Sequence, residues 1–326
     1  MILVTGGSGF LGSHLLAALR KRQVTVRCLA RSATSGGRLL SLGVEVVRGD
    51  LRHPDSLLRA TEGTETVIHL AAINRERGKA TFETVNAQGT VNLVAAAQHA
   101  GTKPILTVIG LGADRDSPHP LARSQALAQE AIRGSGMGHV VLQSSLIFGP
   151  GDEVFSTLAG LTKALPFLHP IPGNGRARFQ PIWVKDVVAC LLRALEDSSL
   201  DGQVYQVGGP EPLSFDQMVR EVLTAVGSRP ARIHVPLPLV RAAMAASAPL
   251  LPKPPATAGL LAQLATDNLP SRNAAEEVFG LDLKSLREGL GYLRFVTAGQ
   301  FLRRTLGGPD YREYVWEQLS GPVEAG

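Results

Sequence analysis

The chain has 326 residues, of which 44% are hydrophobic and 19% charged, a composition that is typical of a compact folded protein and excludes a disordered one. Its net charge of +5 comes from arginines spread along the chain rather than from a basic block with interleaved aromatic residues, which argues against nucleic-acid binding. The two cysteines, Cys28 and Cys190, lack metal or redox spacing, so we expect no metal site and a reducing cytoplasm.

Short runs rich in valine, isoleucine and leucine alternate with helical patterns in the first half of the chain. They predict strands at 1–5, 24–29, 44–48, 66–70, 105–109 and 140–146, and helices at 12–22, 55–60, 84–101, 123–134 and 184–197. Continuous apolar strands separated by helices are typical of a parallel sheet covered on both faces. The predicted fold is therefore α/β, a doubly wound parallel sheet of the Rossmann type.

The regular alternation ends near residue 150, where glycine and proline become frequent. We predict a dinucleotide-binding domain at 1–150, completed by roughly 180–208 with a strand at 203–208. A smaller, interleaved C-terminal α/β lobe and tail would comprise 151–179 and 209–326. Because the first predicted strand begins at residue 1, we expect no signal peptide. We therefore expect a cytoplasmic location.

The segment 235–251 is apolar and carries one charge, Arg241. It contains three prolines and is shorter than the roughly 20 residues that span a bilayer. We expect a core or interface helix, with peripheral contact to the inner face of the membrane as the alternative.

A glycine-rich loop directly follows the first predicted strand and opens the first helix. Gly6 permits a tight turn, Gly9 lets the backbone approach a pyrophosphate, and Gly12 allows close packing of helix on strand. The alternative is a purely structural turn. The predicted cofactor contacts here are Thr5, Gly6, Gly7, Ser8, Gly9, Phe10, Leu11 and Gly12.

The end of the second strand indicates which dinucleotide binds. An acidic residue there would hold the ribose diol of NAD(H), yet residues 1–44 contain no Asp or Glu. Arg31 occupies the position of that acidic residue, and its guanidinium can bind a 2′-phosphate, so the sequence favours NADP(H) over NAD(H). The alternative for Arg31 is a solvated loop cation.

The ends of the third and fourth strands supply further predicted contacts. Asp50 can reach the adenine amino group while Leu51 lines the pocket, although Asp50 can equally cap a turn. After the fourth strand, the backbone of Leu70, Ala71 and Ala72 can touch the cofactor. His69 lies in an apolar run, and we expect it to be buried and hydrogen-bonded rather than a proton donor.

Together with Asn86 and the Phe148-Gly149-Pro150-Gly151-Asp152 segment, these residues resemble the extended short-chain dehydrogenase/reductase superfamily, whose members are similar to NAD-dependent epimerases and dehydratases. The segment 172–187 is most similar to the atypical branch that contains the NADPH-binding accessory subunit of respiratory complex I and its bacterial relatives. The resemblance runs from residue 1 to about 293.

The resemblance places the catalytic Ser, Tyr and Lys of the superfamily at Ile109 or Gly110, at Leu121 and at Gln125. Neither Leu nor Gln can transfer the proton that the Tyr phenol transfers in carbonyl reduction. Gln125 can still hydrogen-bond the nicotinamide ribose, with Ser144 and Ile147 nearby. The resemblance therefore implies cofactor binding without conventional catalysis.

The leading hypothesis is an NADP(H)-binding protein that acts as a structural, assembly or sensing component of a larger, respiratory or assembly complex. The alternative is an oxidoreductase or isomerase whose proton donor is His119, Ser124 or an ordered water. Contact with a protein partner is expected through the tail, whose aromatic residues stand beside arginines, although the tail can instead fold back on its own lobe. These residues are Arg303, Arg304, Tyr311, Arg312, Tyr314 and Trp316.

Overall fold

The first 144 residues alternate strands with helices. The structure, a computed structural model, describes residues 1–247, 250–256, 261–262, 266–313 and 316. The six strands predicted here are confirmed, each within two residues: β1 (Ile2–Thr5), β2 (Val26–Ala30), β3 (Glu45–Arg48), β4 (Thr66–His69), β5 (Ile105–Gly110) and β6 (His139–Ser144). The helices are α1 (Phe10–Lys21), α2 (Ala33–Leu40), α3 (Pro54–Thr61), α4 (Gln88–His99, after a π-helical turn at Glu83–Ala87) and α5 (Pro120–Arg133).

The second half contains shorter strands and helices with longer connections. Its strands are β7 (Ile147–Phe148), β8 (Leu168–Pro172), β9 (Arg178–Phe179), β10 (Ile182–Trp183), β11 (Gln203–Val207), β12 (Leu213–Ser214) and β13 (Ala231–Val235). Its helices are α6 (Val154–Ala164), α7 (Val184–Glu196), α8 (Phe215–Ala225), α9 (Leu237–Ser247), α10 (Ala274–Glu277), α11 (Leu286–Gly289) and α12 (Ala298–Thr305), with 3₁₀ turns at Ser198–Leu200 and Leu290–Phe295.

Seven parallel strands form the central sheet in the order β11-β6-β5-β4-β1-β2-β3. The strand predicted at 203–208 returns to this sheet as β11 and pairs with β6. Strand order reverses between β1 and β4, where ligands bind in doubly wound sheets, at the carboxyl ends of the strands. The predicted α/β Rossmann fold is confirmed.

Buried side chains fill both faces of the sheet and the interior of the second lobe. Leu3 and Val4 point to opposite faces of β1, and each belongs to the core on its own side. The core of the lobe contains Phe155 and Phe179. Short strand pairs, β10 on β7 and β12 on β9, also occur in the second half of the chain.

The segment 235–251 forms the end of β13 and the helix α9, and residues 248 and 249 lie outside the described part of the chain. None of the residues of α9 is fully buried. Across the described helices, none combines the length and the apolar character needed to cross a bilayer.

The tail packs on the body of the protein instead of presenting its aromatic residues. Tyr311 is buried in the core of the lobe, and Trp316 is buried in one core of the sheet. Arg304 is also buried, whereas Arg303 and Arg312 are exposed. Tyr314 lies outside the described residues. The expectation that Tyr311 and Trp316 face a partner is therefore wrong, because both side chains complete the hydrophobic cores of their own chain.

Candidate functional site

The glycine loop between β1 and α1 lies tightly against the end of β4. Gly6 has a φ of +75°, and a Cβ atom there would lie 2.5 Å from the carbonyl carbon of Leu70. A Cβ atom on Gly12 would lie 2.2 Å from the carbonyl oxygen of Gly6. No side chain caps α1 and its first turn has no acidic residue, so the amides at its N-terminus favour an anion.

A cavity of about 220 Å³ opens in front of this loop, and we call it the loop cavity. It brings together residues from the ends of β1, β4, β5 and β6 with the start of α1. Most of the predicted cofactor contacts line it: Gly6, Gly9, Phe10, Leu11, Gly12, Leu70, Gln125, Ser144 and Ile147. Val108 and Ser145 also line it but were not among the predicted contacts, because only the pairing of β5 with β6 brings them here.

Thr5 and His69 form a hydrogen-bonded pair beneath the loop cavity. The Thr5 hydroxyl lies 2.7 Å from His69 Nδ1 and accepts a hydrogen bond from the Ala71 amide at 3.3 Å. His69 Nε2 lies 3.0 Å from the Thr90 hydroxyl. Burial lowers the pKa of His69 to about 4, so the ring is neutral near pH 7. His69 is thus buried and hydrogen-bonded, as predicted, and the pair fixes the end of β4 against β1.

The residues predicted at the adenosine end lie outside the loop cavity. Arg31 is exposed directly after β2, and its guanidinium makes no hydrogen bond or ion pair with any residue that the structure describes. Asp50 accepts hydrogen bonds from the Arg52 amide at 3.0 Å and from the Arg52 guanidinium at 2.7 and 3.0 Å. These bonds lower the pKa of Asp50, and the charge of Arg31 contributes. Asp50 therefore closes its own turn here.

The remaining predicted contacts are Leu51, Gly7, Ser8 and Ala72. The Leu51 side chain is buried, and its carbonyl accepts a hydrogen bond from Asn92 Nδ2 at 2.9 Å. Gly7 is buried inside the loop, Ser8 is half-buried, and Ala72 is exposed. Their contacts with a cofactor stay predictions.

The positions that the superfamily uses for catalysis meet at the edge of the loop cavity. A Cβ atom on Gly110 would lie 3.1 Å from Gln125 Oε1, so the Ser and Lys positions adjoin each other, and Ile109 lines the same cavity. Leu121 stands one turn before Gln125 on α5 and lines a second cavity. The side chains at these positions provide no acid or base.

The alternative proton donors are engaged or remote. The Ser124 hydroxyl is buried, donates to the Leu121 carbonyl at 2.8 Å and accepts from Asn86 Nδ2 at 3.3 Å. The Ser144 hydroxyl donates to the Ser145 carbonyl at 2.9 Å. His119 is exposed at the start of α5 and lines neither of the two cavities.

The second cavity, of about 540 Å³, lies between the sheet and the lobe, and we call it the apolar cavity. It adjoins the loop cavity at two places. Ser145 and Ile147 line the loop cavity while Leu146 between them lines the apolar cavity. On α5, Gln125 lines the loop cavity and Leu121 lines the apolar cavity. A group bound in the apolar cavity would therefore lie beside whatever occupies the loop cavity.

A parallel sheet with a glycine loop at its switch point defines the class of Rossmann-type nucleotide-binding proteins. A sequence profile of the NAD dependent epimerase/dehydratase family matches residues 2–114. The chain is 28% identical over 246 residues to NADH dehydrogenase [ubiquinone] 1 alpha subcomplex subunit 9, mitochondrial, of Arabidopsis thaliana, covering 73% of this chain and 61% of that protein. It is 28% identical over 232 residues to the NAD(P)H azoreductase of Xenophilus azovorans, covering 71% and 76%.

Solved structures show the same fold. The triphenylmethane reductase of Citrobacter sp. superposes with a TM-score of 0.74 at 19% identity, covering 90% of this chain and 99% of that one. The NADPH-dependent quinone oxidoreductase of Escherichia coli superposes with a TM-score of 0.70 at 20% identity, covering 90% and 99%. The chain is therefore similar to the NAD dependent epimerase/dehydratase family over residues 2–114, and it shares its fold with these reductases.

Proposed function

We propose that this protein binds NADP(H) at the glycine loop and does not perform the conventional Tyr/Lys carbonyl reduction of its superfamily. One observation carries the proposal: the glycine loop and its cavity are formed, while Gly110, Leu121 and Gln125 occupy the catalytic positions. The exposed Arg31, with no acidic residue in 1–44, supports NADP(H) over NAD(H). The Citrobacter reductase has been solved as a complex with NADP(H), and the Xenophilus relative is named an NAD(P)H enzyme.

The proposed role is that of a structural, assembly or sensing component of a larger complex. The Arabidopsis relative is by name a subunit of NADH dehydrogenase. Three large apolar side chains, Phe295, Leu302 and Leu306, are 79%, 51% and 65% exposed in and around α12. Exposed apolar clusters often mark surfaces that meet a protein or a membrane.

Absorbance and fluorescence near 340 nm, recorded on the purified full chain, test cofactor binding, and a panel of ketones and aldehydes with NADPH tests turnover. Retained or titratable NADPH without carbonyl reduction supports the proposal. Robust reduction of a carbonyl substrate, abolished by blocking the glycine loop, overturns the non-catalytic part of it. If NADPH does not bind, the cofactor assignment fails.

A pull-down in mild detergent tests the partner surface. Replacing Leu302 and Leu306 with Gln should reduce capture of any partner from the native host's membrane extract. The matched control replaces Leu40 and Leu58, which are 61% and 40% exposed on α2 and α3. Equal capture by both double variants, or none by the wild type, removes support for this surface.

One observation favours a second candidate function, an oxidoreductase that acts on an apolar substrate. The apolar cavity adjoins the loop cavity at Leu121 and Leu146, where a substrate would meet the nicotinamide. Its proton donor would be an ordered water, because Ser124 is engaged and His119 is remote. Oxidation of NADPH by a hydrophobic acceptor, but not by small polar ketones, would favour this candidate.

A further inference from the structure

The walls of the apolar cavity come from distant parts of the sequence and are mostly hydrocarbon. The strands β8 and β13 and the helices α6 and α9 contribute Leu158, Leu161, Pro170, Pro172, Val235 and Met244. A volume of about 540 Å³ lies within the range that ligand sites in proteins occupy. The cavity can therefore enclose the hydrocarbon part of a small ligand.

One face of helix α9 lines this cavity. Val240, Ala243, Met244 and Ser247 line it, at the spacing i, i+3, i+4 and i+7 that places side chains on one face of a helix. No residue of α9 is fully buried, although the helix consists mainly of apolar residues. Val240 and Met244 on this face pack against the core of the lobe and also border the cavity.

One end of the cavity is polar, and two arginine guanidinium groups lie in or behind its wall. Glu153 and Arg75 line it, and Glu153 Oε1 accepts hydrogen bonds from both Arg75 and Arg304. Arg304 is fully buried, and its Nε and Nη1 have no hydrogen-bond partner in the described chain. The neighbouring carboxylate of Asp152 is bound elsewhere, by Tyr292 and by the amides of Phe155 and Ser156.

The buried hydroxyls of Thr157 and Tyr311 lie next to each other behind the same wall. Thr157 is buried and lines the cavity, and its hydroxyl lies beside that of Tyr311. Neither hydroxyl has hydrogen-bond geometry with any residue in the described ranges. Both oxygen atoms are closed off from the cavity, so they do not contribute to its polar end.

We propose that the apolar cavity binds a long-chain acyl ligand, with its hydrocarbon chain along α9 and its carboxylate or carbonyl oxygens at Arg75. The apolar walls suit a hydrocarbon chain, and the Arg75 guanidinium at the polar end suits a carboxylate. This inference rests on the proposed function in one respect: the ligand lies beside a dinucleotide only if NADP(H) binds in the loop cavity.

Titration calorimetry of the full chain with oleate, kept below its aggregation concentration, tests the proposal, and oleyl alcohol and a decyl-substituted benzoquinone serve as comparisons. We expect oleate to bind with one molecule per chain. Ala243→Phe fills the cavity from α9 and should weaken oleate at least about tenfold. Ala242→Phe is the matched control, because Ala242 stands outside the lining face of the same helix, and it should leave the affinity within about twofold.

The head group is tested by Arg75→Gln, which should weaken oleate about tenfold while leaving oleyl alcohol nearly unchanged, since only the carboxylate uses the charge. Failure of oleate to bind overturns the proposal, and so does equal weakening by Ala243→Phe and Ala242→Phe. Binding of the benzoquinone without oleate overturns the acyl assignment. NADPH is titrated on the same samples: its failure to bind while oleate binds rejects the proposed function and leaves the acyl site standing.

Discussion

Arg31 is the residue on which the choice between NADPH and NADH depends. It follows β2 directly, is exposed, and makes no hydrogen bond or ion pair with any other described side chain. A charge-assisted hydrogen bond to a 2′-phosphate contributes about 1.5–3 kcal/mol, which corresponds to roughly tenfold or more in affinity. We expect Arg31→Ala to reduce the preference for NADPH over NADH by about that factor in calorimetric titrations.

Arg59→Ala provides the control for this measurement, since Arg59 is an exposed arginine in the last turn of α3. It should leave both affinities unchanged. Equal binding of NADPH and NADH by the wild type would reject the assignment of Arg31.

His69 makes the stability of the protein depend on pH. Burial lowers its pKa from 6.5 to about 4 in the folded chain. Between these two pH values the imidazole is protonated in the unfolded chain and neutral in the folded chain. The contribution of His69 to the free energy of unfolding is therefore complete above pH 6.5 and falls as the pH drops toward 4. The expected loss reaches up to about 3 kcal/mol for this one group.

Urea unfolding at several pH values between 7 and 4 measures this dependence. His69→Gln should flatten the curve, because its amide can still bond to Thr5 and Thr90 but does not titrate. His99→Gln serves as the control substitution, since His99 is exposed at the end of α4. Parallel curves for the wild type and His69→Gln would contradict the expectation.

Among the elements, the sheet was well predicted because most of its strands contain a short apolar run. It did not predict α2, whose interior contains Gly36 and Gly37, residues that disfavour helices. That helix is held by a reciprocal cap between Ser32 and Ser35 and by the burial of Leu39. The glycine loop was predictable from a local pattern. The predicted contacts at the ends of β4 and β6, Leu70 and Ser144, line the same cavity.

The apolar cavity was not predictable in the same way. Its walls join Asn74 and Arg75 to Leu121, to α6 and to residues as distant as Leu261. The sequence showed 235–251 as an apolar segment, and its partner surfaces appear only when the lobe is folded. Tertiary packing, rather than any local pattern, determines this part of the candidate site.

The glycines of α1 and α2 offer a matched pair of tests. Gly12→Ala would place a Cβ atom 2.2 Å from the Gly6 carbonyl oxygen, so the loop must move. We expect a loss of about 1–3 kcal/mol in the free energy of unfolding and at least roughly tenfold weaker NADPH binding. Gly37→Ala meets no atom within 4 Å and should stabilise the chain by about 0.5–1 kcal/mol with unchanged NADPH affinity.

Denaturant unfolding and NADPH titration of both variants give the comparison. An unchanged affinity in Gly12→Ala would show that the loop does not hold the dinucleotide closely.

At the scale of the whole molecule, the C-terminal region fastens the lobe to the sheet. Phe301 and Tyr311 pack against α6 at Gly160, where a Cβ atom would lie 2.6 Å from Phe301 Cβ. Arg304 reaches Glu153 at the start of α6, and Trp316 reaches a core of the sheet. The same region therefore supports the wall of the apolar cavity while α12 leaves Leu302 and Leu306 on the surface.

This arrangement predicts that shortening the chain to residue 302 destabilises the protein instead of merely removing a partner surface. Truncating a buried aromatic residue to alanine costs about 3–5 kcal/mol, so Tyr311→Ala alone should remove a large part of the stability. Leu302→Ala, at an exposed position of α12, should change it by no more than about 0.5 kcal/mol. Urea unfolding of the three forms decides the matter, and a shortened chain as stable as the wild type would contradict the buried positions of Arg304, Tyr311 and Trp316. If the prediction holds, partner binding must be tested with surface substitutions on α12, because loss of binding by the shortened chain would report unfolding.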